Sequence, residues 1–208
     1  MHCIKNENKL KMKKVLLFTI SIFVFTANTY AQFAAKKEQN AIIEQYKDFY
    51  KIEGQKVVFT KIIDSVSGTP SEIYTRVISY MAMAYNSAND VIQQQDKEAG
   101  LIIGKGIFSL KDCMTCQHTI RIDIKPNRVR VLLYPDKYIY NNPQSDITKY
   151  AEINLLDSYP FSTHNYFGMV PTQRYVADNF IMLCKIIENT FANIENSLKS
   201  QNIINDNW

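Results

Sequence analysis

The stretch HTIRIDIKPNRVRVLLY, residues 118–134, constrains the fold more than any other part of the chain. His118, Ile120, Ile122 and Ile124 fall on one side of an extended run, and Thr119, Arg121, Asp123 and Lys125 fall on the other. After the turn pair Pro126-Asn127, the residues Val129, Val131 and Leu133 alternate with Arg128 and Arg130. Alternation with one apolar side calls for a sheet with one packed and one wet face. The short link makes the two runs antiparallel neighbours.

Three more runs extend this hairpin. DVIQQQD (90–96) and LIIGKGIFSL (101–110) are joined by KEAG, a short connection ending in Gly100, and KVVFTKIID (56–64) is rich in β-branched residues. Between the first strand and the rest, Thr69-Pro70-Ser71-Glu72 supplies a capping threonine, a proline suited to the first turn and the acid of a capping box. The helix it opens is predicted to run to about Asn86, with Ile73, Val77, Met81 and Ala84 as its buried stripe. A second long helix is predicted over 172–204, with Val176, Phe180, Leu183, Ile187, Phe191, Ile194 and Leu198 at helical steps and Cys184 as a buried small hydrophobe. Residues 32–54 read as a helical lead-in, because Ile42, Ile43, Tyr46, Phe49 and Tyr50 recur at helical spacing over 36–51. Residues 136–171 form an aromatic-rich connection that admits a short strand at 137–141 or a brief helix near 147–154. The element order predicts an α+β fold: a curved antiparallel sheet of about five strands, covered on one face by two helices.

Residues 12–31, MKKVLLFTISIFVFTANTYA, place two lysines before an apolar run and a small-residue exit at Ala31. That is the pattern of a secretory signal peptide over 1–31, with Met12 as the more ordinary start. The apolar run is short for a bilayer span of ~20 residues. The expectation is export to the periplasm or beyond, with no stable membrane span after cleavage. Removing the five lysines and one glutamate of 1–31 from the 24 basic and 20 acidic residues leaves 19 of each. A neutral chain gives no electrostatic reason to expect a nucleic-acid partner.

The stretch KVVFTKIIDSVSGTPSEIYTRVISYM through NDVIQQQDKEAGLIIGKGIFSL resembles a family of exported bacterial proteins. Their shared domain, of unknown function, is described as having a TBP-like fold, after the TATA-binding protein. The segment VIQQQDKEAGLIIGKG carries most of the likeness, which covers residues 55–135. The resemblance implies a helix-backed curved sheet for this TBP-like core. It implies no activity, since folds host sites and do not themselves confer function.

CMTC at 113–116 lies outside that pattern. In an oxidising compartment Cys113 and Cys116 are a candidate disulfide across a connection from Lys111 to Gln117. The alternatives are a free thiol pair, a redox centre or part of a zinc site. A redox centre would want a helix after the first cysteine, and zinc would want about four ligands where Cys113, Cys116 and His118 supply three. Haem attachment needs a histidine directly after the second cysteine, where Gln117 stands. GLIIGKGIFS fails the spacing of both the phosphate loop and the dinucleotide fingerprint. Gly104 and Gly106 share one strand face, which suggests close approach of a helix or a bulge.

Two surfaces remain as candidates for binding. One is the wet sheet face with Arg121, Lys125, Arg128 and Arg130, set against the plainer reading of solvated cross-strand ion pairs. The other is the aromatic loop with Tyr159, Phe161, His164 and Tyr166, set against simple packing on the sheet edge. No catalytic or metal constellation and no cofactor is indicated. The expectation is a non-catalytic binding or interaction module of the cell envelope, with a protein, glycan or lipid partner. Its rivals are a thiol-disulfide or metal-dependent protein using Cys113 and Cys116, and an oligomeric structural component.

Overall fold

The structure, a computed structural model, describes residues 37–85, 91–146, 149–161 and 173–200. The signal-like segment lies outside the described residues. Helix α1 (37–45) leads through a turn into β1 (Tyr50–Glu53) and β2 (Lys56–Asp64). Then come α2 (Pro70–Ala84), β3 (Ile92–Asp96), β4 (Leu101–Ser109), β5 (Met114–Lys125), β6 (Arg128–Asn141) and β7 (Tyr150–Asn154). A 3-10 turn (Leu155–Ser158) follows, and α3 (Gln173–Lys199) closes the chain.

The seven strands form one antiparallel sheet in the order β1-β2-β6-β5-β4-β3, with β7 also on β6. The sheet is larger than the five or so strands expected, while the lead-in helix and the two covering helices all stand where they were expected. The two extra strands are short and sit at margins. β1 takes the end of the predicted lead-in helix, and β7 takes the place where a brief helix was an option. β6 explains how both fit. Its first half pairs with β2 and its second half with β7 on the same side, while β5 runs along the whole of its other side.

β6 passes through Pro135, where the alternating run had been expected to end. A proline has no N–H for the ladder and is tolerated at a bulge. Gln117 pairs with Lys137 and His118 with Pro135, so Asp136 is the extra, bulged residue. The strand then continues through Tyr138 to Asn141, as the 137–141 option foresaw.

Local signals are met closely. Thr69 caps α2, its side chain accepting from the Glu72 N–H, while Glu72 Oε2 accepts from Thr69 N–H at 2.7 Å. Ile73, Val77 and Met81 are buried, but Ala84 is exposed. The stripe continues instead at Tyr85, one further step of four, where the helix ends. Pro126-Asn127 makes the two-residue link of β5 and β6, with Asn127 at φ 60. A proline followed by a positive-φ residue is the sequence of a type II turn. Gly100 ends the β3–β4 link at φ 64, where an added Cβ would lie 2.5 Å from the Ile124 carbonyl oxygen.

All seven apolar positions of the α3 stripe are buried, and six of them, Phe180 to Leu198, share one core with Cys184 and the inner sheet residues Ile120, Ile122, Val129, Val131 and Leu133. Phe49 and Tyr50 bring the lead-in onto the same core through Phe59, Phe191 and Phe180. No helix is long and apolar enough to cross a membrane among the described residues.

Candidate functional site

The outer side chains of the sheet lie on the face opposite the buried isoleucines, away from α2 and α3, and that face divides into two ends. At the β5–β6 turn end, Asp123 accepts from Arg121 Nε at 2.9 Å and from Arg130 Nη2 at 2.7 Å, and Asp64 pairs with Arg128. Partial burial alone would raise the Asp123 carboxyl, but the two guanidinium groups outweigh it and hold it below the usual carboxylate range. Three of the four cations expected to form a ligand surface are thus tied to carboxylates on neighbouring positions. Lys125 is exposed and joins no ion pair among the described residues.

The other end is a trough. Lys105, Thr119 and Tyr134 stand side by side on β4, β5 and β6. A cavity of about 770 Å³ is lined there by Lys56, Lys105, Thr119, Tyr134, Asp136 and Asp157, with Gln55 and Asn154 at its margin. A second of about 400 Å³ shares Lys105, Thr119 and Asp136 and continues to Ile107, Gln117 and His118. Lys56 Nζ lies 5.9 Å from the Tyr134 ring centroid. None of Lys56, Lys105, Asp136 and Asp157 is in an ion pair among the described residues. The bulge at Asp136 shapes this end, and bulges often re-aim side chains beside sites.

Behind the trough sits a buried polar pair. His118 is 2% exposed, stacks on Phe108 with ring centroids 3.8 Å apart, and is hydrogen-bonded through Nε2 to the Tyr85 hydroxyl at 3.1 Å. Burial lowers the imidazole to about 4, offset only in part by the Cys116 backbone, and Nδ1 makes no hydrogen bond of ordinary geometry. Gly106 makes room for the pair. A Cβ there would meet Tyr85 Cε1 at 2.6 Å and His118 Nε2 at 2.8 Å, and at Gly104 it would meet Met81 Cε at 2.9 Å. The two glycines therefore admit the end of α2 onto the sheet, as their shared strand face suggested.

The thiols take a different arrangement from the one expected. The link between β4 and β5 is a tight turn, with Met114 N–H donating to the Lys111 carbonyl at 3.0 Å and with Asp112 and Cys113 at φ 52 and 64. Paired positive φ values at the two central residues are what a short hairpin turn requires. β5 therefore starts at Met114, not after Gln117. Cys113 is exposed in the turn, Cys116 is buried in the strand opposite Tyr138, and both are free thiols. Three residues of near-extended chain span ~10 Å, beyond the ~7 Å reach of a disulfide. Burial, reinforced by Asp136, pushes the Cys116 thiol well up, and burial with Glu188 does the same to Cys184.

The aromatic loop divides likewise. Tyr159 is 50% exposed, whereas Phe161 is wholly buried and stacks on Phe180 at 4.0 Å, so it belongs to the core and not to a ligand surface. His164 and Tyr166 lie outside the described residues. Sequence reasoning placed Thr119 on the wet sheet face but missed Lys56, Lys105, Asp136 and Asp157. The available signal was Pro135, a strand-breaking residue inside an alternating run.

Residues 59–135 match the family model of a domain of unknown function with TBP-like fold, DUF4468. The resemblance read from the sequence is to this family. Among solved structures, a TBP-like protein from Parabacteroides distasonis is similar, with a TM-score of 0.57 and 17% identity over 72% of this chain and 97% of that one. The fold is TBP-like. A DUF4468 family protein from Bacteroides ovatus is also similar, with a TM-score of 0.52 and 16% identity over 74% of this chain and 92% of its own. At these identities the likeness shows the TBP-like architecture alone. No curated protein matches the chain.

Proposed function

We propose that this protein is a non-catalytic binding module of the bacterial cell envelope, and that its ligand sits in the trough on the uncovered sheet face. The observation that carries the reading is the set of four charged side chains, Lys56, Lys105, Asp136 and Asp157, which join no ion pair among the described residues and line two cavities with shared walls. Elsewhere on the same face Arg121, Arg128 and Arg130 are paired with carboxylates, and among the described residues Lys125 alone of the expected cations joins no ion pair. Cavities of 300–1,000 Å³ with a few convergent polar groups are the usual form of ligand sites. Envelope location rests on the signal-like pattern of residues 12–31. The buried Cys116 and Cys184, which burial holds as thiols, make poor nucleophiles, and His118 is buried and bonded to Tyr85, which supports binding over catalysis.

Thermal unfolding tests the reading. Protein exported by its native route is heated with chitotriose, maltotriose, oligogalacturonate, inorganic phosphate or phosphatidylglycerol vesicles, beside a Thr119→Trp variant that fills the trough. A ligand should raise the melting temperature of the unsubstituted protein further with each increase in its free concentration and leave that of Thr119→Trp unchanged. Equal shifts in both proteins would move the site elsewhere.

A further inference from the structure

The trough's charges balance. Two lysines, Lys56 and Lys105, face two aspartates, Asp136 and Asp157, around the larger cavity. An anionic ligand would gain the lysines and meet the aspartates, and a cationic ligand would face the reverse. A hydroxyl group donates and accepts, so a polyhydroxyl ligand satisfies both kinds of side chain at once. Gln55, Gln117 and Asn154 extend the same mixed pattern, each amide offering both donors and an acceptor. Tyr134 adds the apolar surface that a sugar ring's C–H face needs, with a polar tip beside it.

The two cavities share Lys105, Thr119 and Asp136 in their walls. Lys56 lies over the Tyr134 ring on a flexible stem and can be displaced by an arriving ring.

We infer that the trough binds an uncharged oligosaccharide, with Tyr134 as its stacking platform, Lys105 and Lys56 as donors, and Asp136 and Asp157 as acceptors. This rests on the binding-module reading above. Amide NMR titrations with chitotriose and maltotriose, and in parallel with oligogalacturonate, phosphate and phosphatidylglycerol vesicles, test it on the exported protein. A neutral sugar is expected to shift the amides of residues 105–107, 117–119, 134, 136–137 and 154–157. Tyr134→Ala is expected to weaken that binding at least tenfold, with the spectrum otherwise intact, and Tyr134→Phe is expected to retain most of it. If only the anionic probes move the trough, the sugar assignment falls and the binding module stands. If no probe moves it, or the neutral sugars shift other residues, both fall.

Discussion

The two ends of the uncovered sheet face are built from the same four strands, yet they treat charge in opposite ways. At one end Asp123 gathers Arg121 and Arg130, and Asp64 holds Arg128, so side chains solvate one another. At the other, Lys56, Lys105, Asp136 and Asp157 stand around open space. Regular cross-strand register puts opposite charges directly beside each other at the first end. The bulge at Asp136 breaks that register at the second, and the concavity appears where the pairing fails. A basic count alone would have pointed to the wrong end.

The largest expected effect comes from what supports the trough. His118 titrates at 6.5 in an unfolded chain and near 4 when buried. Between those values the unfolded chain holds a proton that the folded one refuses. Stability is therefore fully present above pH 6.5 and falls by about 3 kcal/mol as pH drops to 4. Urea unfolding from pH 7 to 4 measures it, and His118→Phe should flatten the curve. If acid acts at the trough first, amides 117–119 and 136–137 will exchange faster at pH 4.5 while those around Asp123 hold. Uniform loosening would erase the distinction between the ends.

Gly106→Val presses a branched side chain into Tyr85 and His118 and is expected to cost about 2 kcal/mol, in line with overpacked cores. The urea midpoint reads this directly. A neutral result would mean that the end of α2 yields, and that the trough floor is softer than the Tyr85–His118 contact implies.

Smaller effects sharpen the contrast on the surface itself. Asp123→Ala strands two guanidinium groups and should lower stability by about 1 kcal/mol. Asp136→Ala should leave the unfolding midpoint unchanged while altering ligand binding. The reverse result would make Asp136 the structural acid and the paired end the functional one. Thiol labelling by iodoacetamide carries no stability change at all. Cys113 should react in the folded protein, and Cys116 and Cys184 only on unfolding. Protection of Cys113 together with Cys116 would restore the disulfide that the turn geometry excludes.

Much of this architecture was legible because its signals are local. The Thr69–Glu72 cap, the Pro126-Asn127 turn, the Ile120–Ile124 alternation and the Val176–Leu198 stripe each speak within one element. Gly104 and Gly106 were readable as points of close approach, although Tyr85 and His118 as the reason for Gly106 were not. What escaped depends on pairing between distant segments. β1 and β7 carry too few residues to show a period, and they exist because β6 is long enough to seat two partners. Phe161 looked like part of an exposed loop because only its stack on Phe180 reveals its burial. The trough is the same case. Lys56, Lys105, Asp136 and Asp157 are scattered over about a hundred residues and meet only through strand order and one bulge.

The central claim is that these four charges, in no ion pair among the described residues, are held open for a ligand. Carbodiimide labelling of carboxylates, read by peptide mass spectrometry with and without chitotriose or maltotriose, tests it most directly. The account predicts that Asp136 and Asp157 label rapidly in the free protein, that Asp123 labels slowly, and that the sugar protects the first two alone. Rapid labelling of Asp123, or sugar protection confined to residues outside the trough, would contradict it.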